Sequence, residues 1–239
     1  MPRLRERIEI GGARGLRYDT VPGELLDSLP HFLDGLPAAN AETLKIGSVW
    51  RVGDACVKRF EPRRELKDWL RASPALRSAE LHFALAPVRT PRPIVALERR
   101  GGRGGSLLVA EFVRGSFLQR SWDSSAAARA RLPLFFADLN ARGYFHGDLH
   151  ARNLLWNGDA WVLIDLEGVR PRAHGWLLRR RIEDQWSRLV CALEPRDGLR
   201  ESFESYLDAM QLAWPRDRTW NRIERRARAI APKWAPRAP

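Results

Sequence analysis

Apolar and polar positions change rhythm near the middle of the chain. From Thr43 the apolar residues come in short runs. Leu44 to Val52 predicts a strand, Gly53-Asp54 a turn and Ala55 to Phe60 a second strand, a β-hairpin pattern. Residues 64–84 have helical spacing, broken at Ser73-Pro74. Pro93 to Arg99 and Ser106 to Val113 predict two further strands around the turn Gly101 to Gly105. No helix follows those glycines to aim backbone amides at an anion, so the turn is a hairpin tip rather than a phosphate cradle. From Ser125 the spacing turns helical. Ala126 to Arg142 lacks glycine, Gly143 suits a C-cap, and the chain beyond Pro171 is mainly helical. The first forty residues scatter Gly and Pro without clear periodicity, and no internal repeat is present. The pattern predicts an α+β chain with an N-terminal extension (1–42), a small strand-rich lobe (43–113) and a helical lobe (114–239). A ligand-binding cleft is expected between the lobes.

Composition narrows the class. The 239 residues are 44% hydrophobic and 29% charged, which is a globular balance. No apolar run is long enough to span a membrane, and no apolar stretch follows the basic N-terminus, so no secretory signal is expected. Two cysteines, Cys56 and Cys191, exclude a disulfide framework or cysteine metal cluster and suit a cytoplasmic location. The net charge of +12 is carried almost wholly by arginine, since lysine occurs only at 45, 58, 67 and 233. Such a balance favours anionic partners.

The chemistry concentrates in Tyr144-Phe145-His146-Gly147-Asp148-Leu149-His150-Ala151-Arg152-Asn153 and in Trp161-Val162-Leu163-Ile164-Asp165-Leu166-Glu167-Gly168. Leu154 to Trp156 and Ala160 to Ile164 are short apolar strands joined by Asn157-Gly158, a strong hairpin turn. Closing that hairpin brings Asn153 and Asp165 to one open end, with Asp148 on the loop leading in. An amide oxygen and a carboxylate can share a Mg²⁺ ion, which prefers hard oxygen ligands and arrives with substrate phosphates. The other carboxylate then faces an attacking hydroxyl. Asp165 follows an apolar run, so it sits at the edge of the core and needs a partner or a metal. His146 is expected to be a scaffold histidine, and His150 is a candidate substrate contact.

His146-Gly147-Asp148-Leu149-His150-x-x-Asn153 resembles the catalytic loop of kinase-like folds, and Asp165 stands where those proteins carry the metal-binding Asp. Glycine after the histidine is typical of small-molecule kinase branches. The resemblance implies a protein-kinase-like two-lobed fold using ATP and Mg²⁺, with Asp148, Asn153, Asp165 and Lys58 catalytic and Asn153 and Asp165 as metal ligands. Lys58 on the second hairpin strand would meet the nucleotide phosphates, with Glu80 as its helix partner. Glu111-Phe112-Val113 resembles the hinge, where backbone groups of Glu111 and Val113 would bind adenine. Only Gly47, beside Ser48, remains of the glycine loop that would cover phosphate. Within the superfamily the chain resembles the bacterial lipopolysaccharide core kinases, of the Kdo-kinase or heptose-kinase type. That resemblance covers roughly Leu44 to Arg170 and includes Pro91-Arg92-Pro93 and Gly-Tyr-Phe-His-Gly-Asp-Leu-His.

It implies an enzyme at the inner face of the bacterial inner membrane, with a lipid-linked anionic sugar as acceptor. A small-molecule kinase for an aminoglycoside, choline-like or ketosamine substrate is the rival reading. Such a cationic substrate calls for an acidic pocket, and this chain is basic. A protein kinase and a nucleotide-binding pseudokinase follow, and nucleic acid is not an expected partner. The stretch 214–239 holds eight basic residues against Asp217 and Glu224, interleaved with Trp214, Trp220 and Trp234. It could dock on an anionic leaflet or be an ordinary helix whose Trp residues pack inward.

Overall fold

The computed structural model describes residues 5–61, 72–99, 105–171, 176–194 and 196–231. The chain divides into two compact units, one of Met1–Ala86 with Pro91–Val113, the other of Pro87–Thr90 with Arg114–Pro239.

The described strands of the first unit are β1 (Glu6–Ile10), β2 (Ala13–Arg17), β3 (Glu42–Lys45), β4 (Val49–Val52), β5 (Ala55–Phe60), β6 (Pro93–Arg99) and β7 (Ser106–Glu111). They form one antiparallel sheet in the order β1-β2-β6-β7-β5-β4-β3. Helix α1 (Gly23–Leu33) covers one face. Its Leu25, Leu29, Phe32 and Leu33 recur at helical spacing and pack on Trp50, Val57, Val95, Leu97 and Val109. Helix α2 (Pro74–Leu85) serves the other face, where Ala75 and Ala79 meet Phe60, Tyr18 and Ala96. Side chains alternate across a strand, so Lys58 lies on the α2 side with Phe60 while Val57 points to the α1 side.

Two expectations change here. The stretch Leu44 to Val52 is not one strand: it is β3, a turn at 46–48 and β4. Gly47 supplies the left-handed backbone (φ +67) that the turn needs, and Ser48 N–H donates to Lys45 O at 3.1 Å. The turn was hidden because every residue of β3 is exposed, which leaves no buried alternation to mark its end. The aperiodic first forty residues contain β1, β2 and α1. β1 is a largely exposed edge strand, and α1 starts at a glycine and carries Pro30 inside it. The helix expected over 64–84 is seen from Pro74, capped by Ser73 Oγ accepting from Leu76 N–H at 3.2 Å. Its earlier part and Gly101 to Gly104 lie outside the described residues.

The second unit begins with β8 (Ser116–Phe117), α3 (Leu118–Ser124) and α4 (Ala126–Ala141), the last capped by Ser125 Oγ. Then come β9 (Tyr144–His146), a single 3-10 turn (Ala151–Asn153), β10 (Leu154–Trp156), β11 (Trp161–Leu163) and β12 (Val169–Pro171). Helices α5 (Trp176–Ala192), α6 (Leu199–Ala209) and α7 (Arg216–Ile230) complete it. β11-β10-β8 and β12-β9 form two small sheets. The core is aromatic: Trp186 of α5 lies 5.7 Å from Phe136, 5.2 Å from Phe203 and 5.3 Å from Tyr206, ring centre to ring centre. The expected class, a strand-rich part followed by a helical one, is what the chain has. Among the described residues no helix is long and apolar enough to cross a membrane.

Candidate active site

The β10–β11 hairpin sets the site. Asn157 Oδ1 accepts from the backbone N–H groups of Asp159 (3.1 Å) and Ala160 (2.8 Å), and Gly158 takes φ +99, so the turn closes tightly. Leu154 then pairs with Leu163, and Ile164 N–H donates to Asn153 O at 3.0 Å. This places Asn153 and Asp165 at the same open end, as the turn chemistry requires. Asn153 is buried, and its Nδ2 donates to the backbone carbonyl of Asp148 at 2.8 Å. That bond orients the amide, leaves Oδ1 as its acceptor atom and ties Asp148 to the hairpin.

Asp165 is fixed from two sides. Its Oδ1 accepts from Glu167 N–H at 3.2 Å, and its backbone carbonyl lies 2.7 Å from His146 Nε2. A carbonyl can only accept, so Nε2 carries the proton and Nδ1 holds the bare lone pair. Nδ1 is buried with no hydrogen-bond partner among the described residues. Burial pushes the His146 pKa down, against smaller opposing effects of Asp165 and Asp148, so the ring stays neutral. His146 is therefore a scaffold group, locked further by Gly147 N–H donating to Gly168 O at 2.7 Å.

A buried polar chain reaches the same loop from the helices. Tyr206 Oη donates to Asn140 Oδ1 at 2.7 Å, and Gln185 Nε2 lies 3.4 Å from that oxygen. Gln185 Oε1 accepts from His146 N–H at 3.2 Å. All four residues are buried. The sequence reading missed Gln185 and Asn140, since nothing in their local pattern separates them from solvated helix polar residues.

Asp148 is largely exposed, with its Oδ1 3.2 Å from Arg188 Nη1 of α5. His150 caps the 3-10 turn, its Nδ1 accepting from Arg152 N–H at 3.2 Å. A ring nitrogen used this way makes His150 a local cap. Burial lowers its pKa also.

The remaining candidates belong to the first unit. Lys58 pairs across β5 with Val49 and Leu108, and its Nζ lies 4.9 Å from the Phe60 ring centre. Gly47 and Ser48 form the β3–β4 turn, with Ser48 O accepting from Arg59 N–H at 2.8 Å. Glu80 accepts from Arg5 Nη2 at 2.8 Å and lies 3.4 Å from Tyr18 Oη. Burial and the Glu80 charge push the Tyr18 hydroxyl up to about 12. Glu111 ends β7 opposite Ala55, its N–H donating to Arg92 O at 2.9 Å, and Phe112 N–H donates to Asp54 O at 2.8 Å, one residue before Val113.

The donor set suits a hard cation: an amide oxygen held in place by its own nitrogen and a carboxylate held through its backbone. No group of three His, Cys, Asp or Glu side chains able to hold a metal occurs among the described residues. A two-oxygen site completed by phosphate oxygens fits Mg²⁺, which dehydrates reluctantly and keeps few protein ligands.

The order β3-β4-β5-α2-β6-β7, followed by a helical unit that carries this loop and hairpin, makes the fold protein-kinase-like. No protein-family model matches the chain, and no curated protein matches it. Among solved structures it is similar to WbdD in co-crystals with the kinase inhibitor LY294002 (13% identity, 80% of this chain, 44% of that chain, TM-score 0.46). It is also similar to a structure described as the bifunctional kinase-methyltransferase WbdD (14%, 75% and 42%, TM-score 0.43). A third is the Drosophila melanogaster PAN3 pseudokinase (14%, 74% and 55%, TM-score 0.42). The chain thus spans less than half of the WbdD chains and just over half of PAN3.

Proposed function

We propose that the protein is an ATP-dependent phosphotransferase that moves the γ-phosphoryl group to a hydroxyl of a lipopolysaccharide inner-core sugar, Kdo or heptose. The observation that carries the reading is the pair of bonds from Asn153 Nδ2 to Asp148 O and from His146 Nε2 to Asp165 O, at the hairpin end where closure sets Asn153 near Asp165. Asp148 orients the acceptor hydroxyl and takes its proton. In this step positioning of the hydroxyl contributes more than proton affinity. Asn153 Oδ1 and Asp165 would hold Mg²⁺, which neutralises phosphate charge when bound. Lys58 meets the nucleotide phosphates, Gly47 and Ser48 cover them, and backbone groups of Glu111 and Val113 hold adenine.

The acceptor assignment is supported by the chain's arginine-rich balance, which suits an anionic acceptor better than a cationic one, while the glycine after His146 argues only against a protein kinase. Membrane docking is narrowed by the contacts of α7. Trp220 packs inward, 5.8 Å from Phe203, and Arg222 and Arg226 pair with the buried carboxylate of Glu183. Arg218, Arg225 and Arg228 remain exposed, Arg228 lying 3.9 Å from Glu224, and are the described residues of this segment that would meet an anionic leaflet. Lys233, Trp234 and Arg237 lie outside the described residues.

The test is a pair of variants. Asp148→Ala should abolish transfer and keep Mg·ATP affinity, whereas Asp165→Ala should weaken Mg·ATP binding. The same response from both variants in the binding assay contradicts the division of roles.

A further inference from the structure

Beside the Asp148 loop, α5, α7, β9 and β12 line an open cavity of about 120 Å³. By this measure a single water needs roughly 10–15 Å³, so the space suits a group of several heavy atoms. Its wall carries four guanidinium groups, Arg170, Arg181, Arg188 and Arg226, against one carboxylate, Asp184. Two are already matched. Arg226 pairs with Asp184 and, at 3.3 Å, with Glu183, and Arg188 pairs with Asp148. The other two have no carboxylate within salt-bridge distance among the described residues. Arg170 donates only to the backbone carbonyls of Glu167 and Val169, which do not cancel its charge.

Like charges gathered around one small space repel unless an anion joins them. Guanidinium forks match phosphate and carboxylate geometry in particular. The cavity is also next to the chemistry: His146 and Gly147 line it, and Arg188 bridges from it to Asp148.

We propose that this cavity is an anion subsite, in which Arg170 and Arg181 hold a phosphate or carboxylate substituent of the acceptor so that a neighbouring hydroxyl reaches Asp148. The assignment rests on the phosphotransferase reading and adds where the acceptor's charge is held. It makes Arg170 and Arg181 specificity determinants.

The probes are inorganic phosphate and galacturonate, titrated calorimetrically into the full-length chain without nucleotide. Wild type should bind at least one of them, and which one identifies the acidic group. Arg170→Gln and Arg181→Gln should each weaken that binding about tenfold, the loss expected for one charge-assisted hydrogen-bonding partner. Arg131→Gln removes the same charge from an exposed site on α4 outside the cavity and should change affinity less than twofold. Thermal melting shows whether each variant is folded, and Arg181, being exposed and without a carboxylate partner among the described residues, is the safer of the two. The proposal is overturned by wild type binding neither anion, by wild-type affinity in both cavity variants, or by an equal loss in Arg131→Gln. Phosphate affinity that falls with Lys58→Met but not with the cavity variants overturns it as well. Mg·ATP binding is measured separately, so its absence would sink the kinase reading while leaving the anion titration to stand or fall alone.

Discussion

Two glycines of the candidate site invite opposite outcomes from the same small substitution. A Cβ placed on Gly168 would lie 2.4 Å from Cε1 of His146 and 2.9 Å from both ring nitrogens. The ring cannot retreat: it is buried, its Nε2–H is bonded to Asp165 O, and its backbone N–H is bonded to Gln185. A Cβ on Gly147 would meet Gly168 O at 3.4 Å and Arg170 Cγ at 3.5 Å, which is ordinary contact. Gly168→Ala must therefore displace the His146 ring and break its bond to Asp165. Overpacking costs about 1–3 kcal/mol and a lost hydrogen bond about 1 kcal/mol, so roughly 2–4 kcal/mol in all. For a chain of this size that is a drop in melting temperature of about 4–16 °C. Because the broken bond is the one that holds Asp165, Mg·ATP affinity should fall too, while Gly147→Ala stays within about 1 kcal/mol of wild type. Differential scanning fluorimetry with and without Mg·ATP measures both quantities. If Gly168→Ala melts and binds as wild type does, or Gly147→Ala is the more damaging, the His146–Asp165 lock is not what positions the site.

Other consequences can be measured independently. Glu183 is buried and shared by Arg179 (3.1 Å), Arg222 (2.8 Å) and Arg226 (3.3 Å); Glu183→Ala should cost about 3–5 kcal/mol in urea unfolding, as breaking a buried ion pair does. Burial holds His146 and His150 below the ordinary histidine value of 6.5, so the unfolded chain takes up these protons first. Stability should thus decline as pH falls below 6.5, and the urea midpoint of His146→Gln should fall less steeply than that of wild type. Replacing Arg225 and Arg228 with Gln should reduce low-salt sedimentation with anionic liposomes, each charge being worth about 1 kcal/mol near such a surface; unchanged sedimentation at every salt excludes docking through these two residues.

The site was legible where local chemistry dictates geometry. Asn157-Gly158 forces a hairpin, and a hairpin forces Asn153 beside Asp165, so spacing alone placed them together. The scaffold role of His146 was legible because a lone histidine is more often a packed or hydrogen-bonded group than an acid or base. Contacts between distant segments were not. Gln185 reaches His146 across 39 positions, and Arg188 reaches Asp148 across 40. Arg222 and Arg226 looked like part of a solvated basic face because their partner, Glu183, lies on another helix. In the sheet, β1 escaped notice and β3 was run together with β4, because both β1 and β3 are exposed edge strands without the alternation that marks a half-buried one.

The central claim is phosphoryl transfer to a sugar hydroxyl with Asp148 at the reacting group. The most direct measurement incubates the full-length protein with ATP, Mg²⁺ and fractionated lipopolysaccharide core acceptors, and reads phosphate incorporation by mass. One Kdo- or heptose-bearing fraction should gain a single phosphate, and Asp148→Ala should lower the rate about 10²–10⁴-fold with Mg·ATP binding retained. No mass gain on any acceptor by a protein that binds Mg·ATP, or near wild-type transfer by Asp148→Ala, would contradict it.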